Sequence, residues 1–181
     1  EPIGNSEHFY QGIFDGNGKC VTNLKINSNT STDLGFFGCV QDATIENLYV
    51  QGNINCNSSY NIGGIVGQAN NSVTIKNCIN NVEITNDNSS ISVGGILGLS
   101  SGVVNISGGE VTANKATKGK GGGFYVNGGT VTLSNGTIVS NQAALAGGGI
   151  CLEGSSIQVN GCTLTQNEAT AGNGGGVFLS N

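Results

Sequence analysis

The sequence predicts an all-β chain wound as a right-handed parallel β-helix, a three-sided β-solenoid of about six coils. Glycine blocks provide the first sign. Leu34-Gly35-Phe36-Phe37-Gly38, Ile62-Gly63-Gly64-Ile65-Val66-Gly67 and Val93-Gly94-Gly95-Ile96-Leu97-Gly98 are followed by Gly121-Gly122-Gly123-Phe124, Gly147-Gly148-Gly149-Ile150 and Gly174-Gly175-Gly176-Val177. They recur about every 26 to 31 residues, the length of one supersecondary unit. A second sign is an aliphatic column: Val21, Ile45, Ile75, Ile106, Leu133 and Val159 each stand two residues before an Asn or Gly, at Asn23, Asn47, Asn77, Gly108, Asn135 and Gly161. The third is a later repeat, Val111-Thr112-Ala113-Asn114, Ile138-Val139-Ser140-Asn141 and Leu164-Thr165-Gln166-Asn167, each followed by an alanine at 116, 143 or 169.

Each element of a coil has a physical reason. The glycine block opens a strand at a place of close backbone approach. The aliphatic column is an inward stack, because strand side chains alternate faces. The Asn/Gly column is a corner in left-handed backbone, which those residues adopt cheaply. The Asn114, Asn141 and Asn167 set is expected to pass side-chain amide hydrogen bonds up the axis, as amide ladders do in stacked sheets. Coils about 4.8 Å apart give six levels a rise of about 30 Å. Right-handed winding follows the rule for parallel crossovers. Residues 14–18, 27–32 and 56–61 read as turns or outward loops. Residues 1–181 are expected to form a single solenoid, with residues 1–99 as loop-bearing repeats and 100–181 as shorter ones. The chain stops inside a repeat that has only begun, and neither end has the character of a cap, so the expectation is an uncapped fragment of a longer array.

Composition narrows the function classes. Charged residues are 9% of the chain, against roughly 25% in ordinary soluble domains. All six basic residues are lysines, and the net charge is −5. Without arginine there is no bidentate reading of phosphates or bases, so nucleic acid is not an expected partner. No apolar run approaches the roughly 20 residues of a membrane span.

At these motifs the chain resembles two known groups. Gly35-Phe36-Phe37-Gly38, Gly64-Ile65-Val66-Gly67 and Gly95-Ile96-Leu97-Gly98 resemble the GLUG motif of bacterial surface and secreted proteins. Phe14-Asp15-Gly16-Asn17-Gly18 followed by Val21-Thr22-Asn23-Leu24 is similar to the segment that leads into such repeats. The Gly-Gly-Gly-aliphatic blocks, with Val111-x-x-Asn114, Ile138-x-x-Asn141 and Leu164-x-x-Asn167, resemble the repeats of polymorphic outer-membrane proteins. There Gly replaces the usual Ala, and Val, Ile or Leu the usual Phe. The resemblance implies an adhesin-like, secreted or cell-surface protein.

Parallel β-helices also house carbohydrate enzymes, and such an enzyme needs converging catalytic groups. The four aspartates (Asp15, Asp33, Asp42, Asp87) fall in turns of different coils. Glu46, Glu83, Glu110, Glu153 and Glu168 are scattered, none one coil from a partner, where a glycosidase needs two facing carboxylates. Asp15-Gly16-Asn17-Gly18 has the first half of a calcium loop but lacks its closing carboxylate, and reads as a glycine-rich turn. His8 has no placed nucleophile beside it. No Cys-x-x-Cys exists among Cys20, Cys39, Cys56, Cys78, Cys151 and Cys162, and the register keeps most apart, so mostly free thiols are expected, Cys56 lying in a loop. Threonines at 112, 137, 163 and 165 make too short a row for ice binding. Phe9, Tyr10, Tyr49, Tyr60, Tyr125 and Phe178 are the candidates for an outward aromatic platform. No catalytic, cofactor or metal residues are therefore expected. The expected function is a non-catalytic structural or adhesive segment of a long secreted or cell-surface protein or filament. Its partners would be further coils, by end-to-end self-association or within the parent chain, and host or matrix glycans or proteins. The alternative is a carbohydrate-binding or carbohydrate-processing β-helix.

Overall fold

The computed structural model describes residues 1–29, 32–57, 61–86 and 92–180. Among them there is no helix, and every strand pairing is parallel. The chain is a parallel β-solenoid of about six turns. In a regular winding the glycine-led strand Leu97–Ser100 is followed by Val103–Ser107, then Glu110–Thr112 and Lys115–Ala116. The next winding repeats these as Phe124–Asn127, Thr130–Ser134, Thr137–Val139 and Gln142–Ala143, and the one after as Ile150–Glu153, Ser156–Asn160, Thr163–Thr165 and Glu168–Ala169. The third side is thus broken by a corner.

The aliphatic column stacks as expected from Ile45 onward: Ile45 pairs Ile75, then Ile106, Leu133 and Val159 in turn. Burial of such side chains is the main favourable term in the fold. Ile45 and Ile75 are fully buried, whereas Val159, on the outermost of these strands, is 42% exposed. The first coil departs from the expected register. Phe14, not Val21, sits under Ile45, and Val21 pairs Val50. The cause is an irregularity in Tyr10–Ser28: Asp15 faces Glu46 but Lys19 faces Leu48, so this coil takes four steps where its neighbour takes two. Phe14 is therefore strand, not turn, and its ring packs edge-on to Phe37 at 5.2 Å, beside Tyr10 and Phe36.

The first corner behaves as expected in five coils. Asn47, Asn77 and Asn135 have φ of 53°, 49° and 54°, and Gly108 and Gly161 have 63° and 62°. Asn47 Nδ2 donates to Asp15 Oδ1 at 3.0 Å, so coil one contributes Asp15 and Asn17 here rather than Asn23. Asn23 serves the second corner, where Ala113, Ser140 and Gln166 also adopt φ of 54–55°. Left-handed backbone at alanine and serine is costly. An asparagine stands directly after each of these three, and its buried hydrogen bonds offset the cost.

Other expectations shift locally. Asn27, Ser28 and Cys56 end strands rather than lying in loops: Ser28 pairs Cys56, and Cys56 pairs Asn86. Thr30, Ser31, Ser58, Ser59 and Tyr60 of those segments, and Asp87, lie outside the described residues. The glycine blocks mark tight contact between coils. A Cβ on Gly64 would overlap the Gly95 carbonyl of the next coil and the Asn80 amide.

Truncating a mid-stack column residue leaves a cavity closed on both sides. Ile75→Ala is expected to cost about 2–5 kcal/mol in urea unfolding, and Val159→Ala less than about 1 kcal/mol because water already reaches it. Equal losses at both positions would contradict the column.

Candidate functional site

The polar group most deeply built into the fold is an amide ladder. The outward register Lys25, Asn53, Glu83, Lys115, Gln142, Glu168 runs through all six coils. The residue before each is Leu24, Gly52, Val82, Asn114, Asn141 and Asn167. One interior column is thus apolar for three coils and asparagine for the next three. Asn114 Nδ2 donates to Asn141 Oδ1 at 2.8 Å, and Asn141 Nδ2 to Asn167 Oδ1 at 3.0 Å. The same acceptors take the backbone N–H of Asn114 and Asn141, at 3.1 and 3.0 Å. Remaining amide hydrogens go to main-chain carbonyls: Asn141 to Val111 and Asn167 to Ile138. Asn114 and Asn141 are at most 1% exposed, so these bonds act in a low-dielectric interior.

The sequence did not single out Asn80, which joins the ladder from outside its column. It pairs Val50 and Val111, yet its Nδ2 reaches Asn114 Oδ1 at 2.6 Å and the Gly95 carbonyl at 2.7 Å. Its own Oδ1 is buried without a partner among the described residues. The ladder therefore ends against the apolar coils.

A second polar group lies outside the main core. Tyr125 and Cys151 are buried, pack with Ala146 and Phe178, and stack in register with Phe178. This corrects the reading of Tyr125 and Phe178 as outward platform candidates. Tyr10 packs on Phe37, and Tyr60 is outside the described residues. Glu153 joins the cluster by accepting the Tyr125 hydroxyl at 2.6 Å and pairing with the Lys120 ammonium. Burial pushes the Tyr125 phenol well up, and the Glu153 carboxylate adds to this. Burial alone would raise the Glu153 carboxyl, but Lys120 and Tyr125 more than offset it and hold it below the usual range. The arrangement clasps the segment before one glycine block to the strand of the next coil.

The other carboxylates also serve the stack. Asp15 and Glu46 are register neighbours one coil apart, which the sequence reading had excluded. Asp15 Oδ1 accepts the Asn17 N–H and the Asn47 amide, and Glu46 pairs with Lys76 at 3.7 Å. Glu83 accepts from Asn53 at 3.2 Å, and Glu168 from Gln142 at 2.9 Å. Asp33 takes the Asn61 amide at 2.6 Å and Asp42 the Asn71 amide at 3.0 Å. Among the described residues no three His, Cys, Asp or Glu side chains gather as a metal site.

No two of the six cysteines are joined by a disulfide. Burial pushes Cys39 and Cys151 up to about 12 and Cys78 to about 11, so they are inert apolar groups at neutral pH. Outside, the sheet through Val103–Ser107 presents a row the sequence reading missed: Ile13, Thr44, Thr74, Asn105, Thr132 and Gln158, one per coil. Only the shorter rows Glu110/Thr137/Thr163 and Thr112/Val139/Thr165 had been visible, because they share the Asn ladder's repeat. Comparison with family models, characterised proteins and solved structures gives no match to the chain.

Breaking the ladder at its centre orphans two donors on Asn114, removes the Val111 carbonyl's amide contact, and takes one of two hydrogen bonds from Asn167 Oδ1. Asn141→Leu is expected to cost about 2–5 kcal/mol, while Thr132→Val on the outer row stays within about 0.5 kcal/mol. Urea unfolding decides; a neutral Asn141→Leu would remove the ladder's energetic role. Acid should also weaken the fold. Glu153, Asp15 and Asp42 all have lowered folded-state pKa values. Their contribution is present above the unfolded carboxylate pKa of about 4 and is lost as pH falls through the lower folded values. The urea midpoint is expected to drop across that window, and Lys120→Met to flatten part of the drop.

Proposed function

We propose that the chain is a non-catalytic structural or adhesive segment of a long secreted or cell-surface protein or filament, of the GLUG-motif and polymorphic outer-membrane-protein-like kind. One observation carries this reading: seven of the described carboxylates are turned along the axis, each serving the coil beside it. Asp15, Asp33, Asp42, Glu46, Glu83, Glu153 and Glu168 all have partners that hold coils together. A recess lined by Val111, Leu133 and Ile138 has a volume of about 10 Å³, room for about one water, and four open surface recesses measure about 270 to 320 Å³. Outside there remains a flat face of hydroxyls and amides about 4.8 Å apart along the axis. Such a stack is stiff, adds stability coil by coil, and presents that face along its length. Its partners are further coils at the ends and host or matrix glycans or proteins on the face.

The protein is expected to release no reducing ends from plant, fungal or bacterial polysaccharides. On a glycan array any binding is expected to be weaker than micromolar and spread over several sugar classes. Turnover, or specific micromolar binding to one class, would transfer the assignment to a carbohydrate-processing or carbohydrate-binding β-helix.

A further inference from the structure

The two ends of the stack are not equivalent, and the amide ladder makes the difference. At the Asn167 end, Leu164 and Ala169 continue the interior columns, and Val159 and Leu179 are 42% and 67% exposed. Asn167 Oδ1 is satisfied by Asn141, and one amide hydrogen goes to Ile138 O. Its second amide hydrogen and its backbone N–H have no partner among the described residues. At each earlier rung these two donors converge on the asparagine oxygen of the following coil.

We infer that this edge is an interaction surface selective for a coil carrying an asparagine in the ladder register. The inference rests on the stacking function proposed above and names the partner chemistry. The occupant it fits is a polypeptide coil of the aliphatic-x-x-Asn-x-Ala type, as at 111–116 and 138–143. The first coil of a second copy does not fit. In the register that runs from Lys25 to Glu168, that coil offers Leu24 where the ladder needs an amide oxygen. Docking there would place Lys25 over Glu168, a favourable but solvent-exposed pair. It would also bury two orphaned donors of Asn167, which costs more than an exposed ion pair returns. Head-to-tail polymerisation of identical segments is therefore disfavoured, and stacking is directed to ladder-type coils. The Leu24 end lacks this chemistry.

The test extends the chain by one coil, a copy of residues 154–180 that follows Ser180 in place of Asn181. A second version carries Asn167→Leu in the copy only, so the scaffold is untouched. Amide hydrogen exchange reports on both. Protection of Leu164 and Thr165 tells whether the added coil docks, and protection of the original Asn167 N–H reads the ladder. The expected result is at least tenfold stronger protection of the Asn167 N–H by the unaltered copy than by the Leu version. Sedimentation of the unextended protein at micromolar concentration should show no head-to-tail assembly. Equal protection of Asn167 by both docked copies overturns the selectivity and leaves the stacking function standing. Rods joined through Leu24 and Asn167 would do the same. If neither copy docks, the stacking function fails with it.

Discussion

Parallel pairing at the coil period forces each residue to lie over its counterpart one turn away, and the remainder of the structure depends on this. An interior position is then surrounded mainly by copies of itself. Aliphatic residues satisfy the condition trivially. A polar residue satisfies it only if it can both give and accept along the axis. Asparagine does so, with a donor at Nδ2 and an acceptor at Oδ1. Glutamate or lysine in the same column would meet a like charge about 4.8 Å away. This accounts for Asn114, Asn141 and Asn167 inside, and for the low charge content of the whole chain.

The same condition explains the strained second corner. Ala113, Ser140 and Gln166 hold left-handed backbone at a cost of roughly 1–2 kcal/mol each. The asparagine directly after each one turns inward only because of that backbone. Asn114 and Asn141 then place both an N–H and a side-chain amide on one acceptor in the next coil. Several buried hydrogen bonds per rung exceed the local strain, so the corner is held in place by its neighbouring asparagine. At the first corner no such return is needed, because Asn47, Asn77 and Gly108 take left-handed backbone at little cost.

How far the sequence could be read depends on where the period is kept. From Ile45 to Val159 the spacing inside the window has no insertions, and the aliphatic column, the first corner and the three ladder asparagines were all legible. Coil one was misread because Val21-Thr22-Asn23-Leu24 looks like the window at 45–48. Two extra steps between Asp15 and Lys19 move it to the next corner, and only pairing geometry reveals them. That slip also hid the proximity of Asp15 and Glu46. Asn80 was invisible because it reaches the ladder from a neighbouring column, while Val82 fills the ladder position. Lys120, Tyr125 and Glu153 were missed because Lys120 pairs across 33 residues, further than one coil. The position of Lys120 directly before a triple glycine was the one available signal.

The division of the ladder column bears on how such a stack can be assembled. Leu24, Gly52 and Val82 are indifferent to the identity of the coils above and below, since burial of apolar surface is non-directional. Asn114, Asn141 and Asn167 are directional: Asn114 and Asn141 each give an amide hydrogen to the next coil, and the oxygens of Asn141 and Asn167 accept from the previous one. The transition leaves one buried acceptor, Asn80 Oδ1, without a partner among the described residues. A column that was apolar throughout would avoid this but would let any coil follow any other. The amide half fixes both order and register, because a coil displaced by one residue leaves two donors without an oxygen. Specificity along the axis thus comes from a few buried amides, while cohesion comes from the aliphatic columns that flank them.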